Sequence, residues 1–281
     1  MVDQILAPLD ESELAERALP TAARLARVVG GRLHLVRVID LLAHATWAPI
    51  PAFVPADIYA REEQETRAYL TAQQDRLAAT GLPVLTATPA GDVGAALLDY
   101  EQEAQITLVV LCSHGRGGLA RFALGSVAER LLRYGTAPLL LVRAFGAPLT
   151  LAQAVAPLDG SARAEQALEA LQGLLGTVVR QVTLLRVIAA PEEGPEAERY
   201  LAAVAPRLSE HLSVCRRVEQ SDPAERIAAV AGAEALVVMA THGRTGMTRW
   251  ALGSVADRVT HSPVAGVLLL RAAAGDAHAG Q

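Results

Sequence analysis

The sequence contains no lysine and no asparagine; all 25 basic residues among its 281 are arginines. Without lysine there can be no P-loop, whose lysine sits on the nucleotide phosphates, and no Schiff-base or pyridoxal-phosphate chemistry, which needs an amine. Without asparagine there is no N-glycosylation acceptor. Cysteine is scarce: Cys112 and Cys215 make neither a disulfide framework nor a zinc site. Aromatic residues are 4% of the chain, too few for the stacking runs that read single-stranded RNA. No apolar run reaches the roughly 18 residues of a membrane span. Met1 to Pro8 lacks the basic stretch and long apolar core of a secretory signal. A soluble, cytoplasmic protein without a membrane partner is expected.

Charge of one sign is not concentrated anywhere. The net charge of -5 divides into 13 arginines against 16 acids up to Gly146 and 12 against 14 after it. No lobe is basic enough to neutralise a phosphate backbone, which argues against a nucleic-acid partner.

What the sequence does have is itself, twice. Ala7-Pro8-Leu9-Asp10-Glu11-Ser12 returns as Ala156-Pro157-Leu158-Asp159-Gly160-Ser161, and Leu35-Val36-Arg37-Val38-Ile39 as Leu184-Leu185-Arg186-Val187-Ile188, both 149 residues on. Ser113-His114-Gly115-Arg116 returns as Thr241-His242-Gly243-Arg244, and Leu124-Gly125-Ser126-Val127-Ala128 as Leu252-Gly253-Ser254-Val255-Ala256, 128 residues on. The second copy is therefore shorter, and most of the loss falls near Asp40 to Tyr59, because Tyr69-Leu70 already matches Tyr200-Leu201 at an offset of 131. Four matched blocks in one order mark a tandem duplication.

Within a copy, short Val/Ile/Leu runs at Gln4–Pro8, Leu33–Ile39, Val84–Thr88, Thr107–Leu111 and Pro138–Val142 alternate with helical periodicity. Leu14, Ala18, Ala22, Leu25 and Val29 share one helix face, and Tyr69, Gln73 and Leu77 another. Apolar strands separated by helices imply a parallel sheet covered on both faces. Each half is read as an open, doubly wound α/β domain, residues 1–145 and 149–272, joined around Ala144 to Leu151.

Ligands of such sheets bind beyond the carboxyl ends of the strands, where the strand order reverses. Asp10 lies there, placed to accept from a ribose hydroxyl or a base amine. The glycine-rich segment from Cys112 to Gly118 lies there too, leading to Gly125-Ser126 at a helix start. Glycine near a helix N-terminus lets backbone N–H groups reach phosphate oxygens. Ser126 offers a hydroxyl; Arg116 and Arg121 offer charge. Each feature has a plainer reading. Ser126-Val127-Ala128-Glu129 also matches a capping box, Asp10 or Ser12 also suits the cap of the first helix, and Gly117-Gly118 also suits a turn. Cys112 reads as a small buried residue at a strand end rather than a reactive thiol.

Taken together, Gly115, nine residues, then Gly125-Ser126 resembles the universal stress protein signature, Gly-x2-Gly-x9-Gly-Ser/Thr. Asp10-Glu11-Ser12 is similar to that family's Asp-x-Ser after the first strand. Gly243, nine residues, then Gly253-Ser254 repeats the signature, with Asp159 in the matching place. The resemblance implies two tandem Rossmann-like domains of strand order 3-2-1-4-5, related by pseudo-twofold symmetry and paired through their fifth strands, with further homodimerisation open.

It also implies binding of an adenine nucleotide, ATP, ADP or AMP, with Mg²⁺ held by phosphates and water. Pro8, Asp10 and Val38 would line the adenosine; Leu111, His114 and Gly115 would border base and ribose; Gly125, Ser126 and Val127 would hold phosphates. The second copy would use Pro157, Asp159, Val187, Met239, His242, Gly243, Gly253, Ser254 and Val255. The expected role is a regulatory stress sensor with little or no catalysis; a slow ATPase or self-phosphorylating protein and a nucleotide-free scaffold are the alternatives.

Two departures from the family pattern stand out. The signature's first glycine is Cys112 in one copy and Ala240 in the other; where positive φ or close backbone approach is required, a side chain costs about 1 kcal/mol or more. The family's Gly-x-Pro before the third helix is Gly91-Asp92-Val93 and Ser221-Asp222-Pro223. Weakened binding is expected from these changes. Loss of the Asp40–Tyr59 connector from the second copy makes the first the better site.

Overall fold

The computed structural model of the chain describes residues 2–40, 56–113, 125–144, 149–173, 176–208, 210–241 and 252–271. The chain forms two compact bodies, one of Val2–Ser113 with Leu124–Leu139, the other chiefly Leu140–Gln281.

In the first body, strands β1 (Gln4–Pro8), β2 (Arg32–Val36), β3 (Val84–Ala87) and β4 (Leu108–Ser113) lie in the order β3-β2-β1-β4. The pairings are parallel, with Ile5 opposite Leu33 and Leu108, and Leu35 opposite Thr86. Ile5, Leu6, Leu33, Leu35 and Leu108 are fully buried, as residues of a sheet covered on both faces must be. Helices α1 (Glu13–Glu16) and α2 (Leu19–Val29) follow β1, α3 (Ala56–Ala78) precedes β3, α4 (Val93–Glu103) precedes β4, and α5 (Ser126–Tyr134) comes after it.

The second body holds β5 from Leu140 on (the strand is Leu139–Arg143), then β6 (Gln153–Pro157), β7 (Gln181–Ile188), β8 (Ser213–Gln220), β9 (Leu236–Thr241) and β10 (Gly266–Arg271). Their order is β5-β10-β9-β6-β7-β8. Counted within the second repeat, that is the expected 3-2-1-4-5 with the first repeat's fifth strand added beside the second's. Arg143 N–H donates to the Ala265 carbonyl at 3.0 Å. Helices α6 (Ala162–Gly173), α7 (Gly194–Val204), α8 (Pro223–Ala231) and α9 (Ser254–Thr260) complete it. Among the described residues no helix is long and apolar enough to cross a membrane.

One expectation needs correction. The face of Leu14, Ala18, Ala22, Leu25 and Val29 does not belong to one helix: the chain breaks at Arg17 and Ala18, between α1 and α2. Pro20, near the start of α2, has no N–H and its ring crowds the carbonyl four residues back, so α1 cannot run into α2 unbroken. The second repeat has Glu169 in that place, and α6 is continuous.

Candidate functional site

In a parallel sheet every strand delivers its carboxyl end to the same edge. From β1 the chain returns to β2 on one side, and β4 lies on the other, so the edge between β1 and β4 is the switch point. There Pro8 is buried, Asp10 is exposed, and Val38 and Leu111 are half-buried. In the second body the edge between β6 and β9 presents half-buried Pro157, exposed Asp159, half-buried Val187 and buried Met239.

Both aspartates are held in the same turn. Asp10 Oδ1 accepts from the backbone N–H of Ser12 at 3.0 Å and from its hydroxyl at 2.5 Å, while Ser12 Oγ accepts from Ala15 N–H at 3.1 Å. Asp159, Ser161 and Ala164 repeat this at 2.9, 2.6 and 3.1 Å. The serine is thus the helix cap, and the aspartate is the group the serine orients. Oδ2 of Asp10 has no partner among the described residues. Burial works to raise the Asp159 pKa, but the hydrogen bonds from Ser161, with the Arg186 guanidinium beyond them, outweigh it and hold the carboxyl below the ordinary value.

Gly125, Ser126 and Val127 begin α5, and Gly253, Ser254 and Val255 begin α9. Ser126 and Ser254 are the first helical residues, one place inside the cap, so the capping-box reading of Ser126 is not what forms. The caps are Gly125 and Gly253, which supply no side-chain acceptor. The helices that follow β3 and β8 differ: Asp92 Oδ1 accepts from Ala95 N–H at 2.9 Å, and Asp222 Oδ1 from Glu225 N–H at 3.1 Å. The first amides of α5 and α9 have no side-chain partner among the described residues. An anion is the partner such amides favour. His114, Gly115, His242 and Gly243 lie outside the described residues, as does most of the Asp40–Tyr59 connector.

The two non-glycine residues at the signature's first position sit inside strands, Cys112 in β4 and Ala240 in β9. Neither is among the non-glycine residues with positive φ, which are Glu11, Gln105 and Leu151. The backbone conformation there does not require glycine. Burial pushes the Cys112 thiol up to about 11 against the pull of Arg17, which keeps it protonated at neutral pH.

Several residues around these edges have no site role in the sequence reading. Arg130, one turn along α5, pairs with Asp92 at 2.8 Å; Arg258, one turn along α9, pairs with Asp222 at 2.6 Å. Tyr69 donates its hydroxyl to Glu16 at 2.9 Å, as Tyr200 does to Glu165 at 3.0 Å. Arg37 meets Glu11 at 3.4 Å and also donates to Thr66. Arg130, Asp92, Tyr69, Glu16 and Arg37 recur in the second copy as Arg258, Asp222, Tyr200, Glu165 and Arg186, whereas Glu11 and Thr66 do not recur.

The profile of the universal stress protein family matches residues 1–143 and again 152–271. The chain is 31% identical to a universal stress protein of Mycolicibacterium smegmatis over 288 aligned residues, covering 95% of this chain and 96% of that protein. It is 32% identical to universal stress protein Rv2005c of Mycobacterium tuberculosis over 195 residues, 62% of this chain and 64% of the relative. Among solved structures, a universal stress protein from Archaeoglobus fulgidus superposes with a TM-score of 0.76 at 19% identity, over 96% of this chain and 99% of the other, a likeness of fold. Matched in both repeats, with the duplicated turns and helix starts in matching places, this chain belongs to the universal stress protein family.

Proposed function

We propose that each repeat, taken as residues 1–145 and 149–272, binds an adenine nucleotide, ATP, ADP or AMP, and that occupancy serves regulation rather than turnover. The observation that carries this reading is that the α5 and α9 starts share the same lack of a side-chain cap. Where α4 and α8 satisfy their first amides with an aspartate, the two helices bearing the Gly-Ser of the family signature have a glycine cap and donors to spare. Asp10 and Asp159, pre-oriented by their serines, supply the acceptor for the nucleoside end. His114 and Gly115, with His242 and Gly243, are assigned to base and ribose on the sequence alone.

The donor set suits phosphate. It is not a hydrolytic site of the usual kind, since fast phosphoryl transfer wants a positioned base and carboxylates for the metal. No acidic residue stands between Cys112 and Val127. Mg²⁺ would then enter with the phosphates, its remaining positions filled by water. A calorimetric titration of nucleotide-free protein with Mg-ATP, and separately with AMP, tests the reading. One or two moles bound per chain at micromolar affinity is the expected result; no heat with either ligand on folded protein would overturn it and leave a scaffold.

A further inference from the structure

The two repeats differ at one position of the strand-end turn. The residue after the aspartate is left-handed in both, Glu11 with φ 66° and Gly160 with φ 87°. Glycine takes that conformation freely; glutamate takes it only where its surroundings hold it. Glu11 faces Arg37, whose guanidinium lies 3.4 Å from its carboxylate, the two side chains 42% and 18% exposed. Arg37 also donates to the Thr66 hydroxyl. The carboxylate offsets its charge, and the hydroxyl adds a neutral hydrogen bond.

Arg186 occupies the same place in the second repeat and has neither partner, because Glu11 is replaced by Gly160 and Thr66 by Ala197. It donates instead to the Leu158 carbonyl at 3.3 Å and lies 5.9 Å over the Tyr200 ring. Neither contact cancels a charge, and the anion Arg186 acts on is Asp159, whose carboxyl it helps hold below the ordinary value. The equivalent tyrosines register the difference. Burial raises both phenols first, and the hydrogen bond to glutamate second. Beyond these, the charge of the bonded glutamate and of the strand-end aspartate adds to the rise at both; Glu11 adds to it at Tyr69, and Arg186 opposes it at Tyr200, which reaches about 12.

We propose that the residue after the strand-end aspartate sets the charge at the nucleoside end of each site: Glu11 neutralises Arg37 in the first repeat, while Gly160 leaves Arg186 to attract an anionic adenine nucleotide in the second. This inference rests on the nucleotide reading above. It runs against the connector-length argument, which favours the first repeat. Formal charge from the aspartate, its neighbour and the arginine is one unit more negative in the first site than in the second. A side chain has room there, although left-handed backbone strains it: a Cβ built on Gly160 would sit 3.5 Å from Arg186 Nη1, an ordinary contact beside the guanidinium.

The experiment isolates each site and changes one charge. On a Gly253→Val background, which leaves the first site, Glu11→Gln and Glu11→Gly are titrated with Mg-ATP and with adenosine. On a Gly125→Val background, Gly160→Glu and Gly160→Gln are treated alike. Removing the Glu11 carboxylate is expected to tighten ATP by about threefold to tenfold, and Gly160→Glu to weaken it by a like factor. Gly160→Gln, which bears the same left-handed strain without charge, should stay close to the parent. Both effects should shrink in about 0.5 M salt and be absent with adenosine, which has no phosphate. Unchanged ATP affinity in the Glu11 variants, or the same change with adenosine, would overturn the proposal alone. Absence of ATP binding by the unmodified chain would overturn the nucleotide reading and this proposal with it.

Discussion

Arg130 Nη1 lies 2.8 Å from the same carboxylate oxygen of Asp92 that accepts from Ala95 N–H at the start of α4. One aspartate therefore caps one helix and holds the next, and the helix it holds begins with Gly125-Ser126. Asp222 divides the same duties between its two oxygens, Oδ1 for Glu225 and Oδ2 for Arg258. The pair fixes α5 about one turn from its start, which is where the position of its first amides is decided.

Replacing Arg130 by glutamine should thus cost binding more than stability. Both side chains are 43% exposed, and an ion pair so placed is worth less than about 1 kcal/mol. ATP affinity of the first site should fall severalfold with a nearly unchanged thermal midpoint. Asp92→Ala also removes a cap and should cost about 1 kcal/mol in a urea melt. Gly94→Ala supplies a third variant, because its Cβ would stand 2.2 Å from Arg130 Cδ and push that side chain aside. Full ATP affinity in Arg130→Gln would mean that the pair does not position α5.

How much of this was legible in the sequence follows from the range of the forces involved. The strands were readable because burial on both faces makes each a continuous apolar run, and Gln4–Pro8 is observed with its expected bounds. The break before α2 was missed because apolar spacing carries across Pro20, although the ring does not. At the site, Asp10 and Ser12 are two residues apart and their turn is local. Asp92 and Arg130 are 38 residues apart and meet only after α4 and α5 pack. The duplication marks both, since each recurs in the second copy, but recurrence alone does not say that they touch.

A second expectation concerns Glu101, 2% exposed at the end of α4. Its Oε1 accepts from the N–H of Thr136 at 2.5 Å, the Thr136 hydroxyl at 2.9 Å and the N–H of Ala137 at 2.7 Å. These bonds fix the turn between α5 and β5 and satisfy two of its backbone donors. Glu101→Ala removes all three bonds and should destabilise the protein by about 2 kcal/mol, read from the urea midpoint. The turn itself needs Gly135, where a Cβ would lie 2.5 Å from Glu101 Oε2 and 2.6 Å from the Leu131 carbonyl. Gly135→Ala should therefore be destabilising although the φ of -67° suits alanine. A melt unmoved by either change would remove Glu101 as the anchor of this turn.

A third expectation is a pH dependence set by His34, 3% exposed on β2. Gln4 Oε1 accepts from its Nε2 at 2.8 Å, so that nitrogen carries the proton, and Nδ1 accepts from the Tyr100 hydroxyl at 2.8 Å. The neutral ring satisfies both partners. Burial, and then the charge of Arg32, lowers the pKa from 6.5. In the unfolded chain the ring takes its proton near 6.5, whereas the folded protein resists until a lower pH. Between those two values the unfolded state binds more protons, so stability rises with pH across that window. The contribution is complete above the unfolded value and is lost as pH falls toward the folded one. Unfolding free energies measured from pH 7.5 down to about 5 should therefore decline, in addition to the losses shared with the carboxylates. His34→Leu should be less stable at neutral pH, because the Gln4 and Tyr100 side chains lose their partner, yet its decline across the window should be shallower. Parallel curves for the two proteins would show that His34 is protonated alike in both states, and the buried pairing with Gln4 and Tyr100 would then not govern its titration.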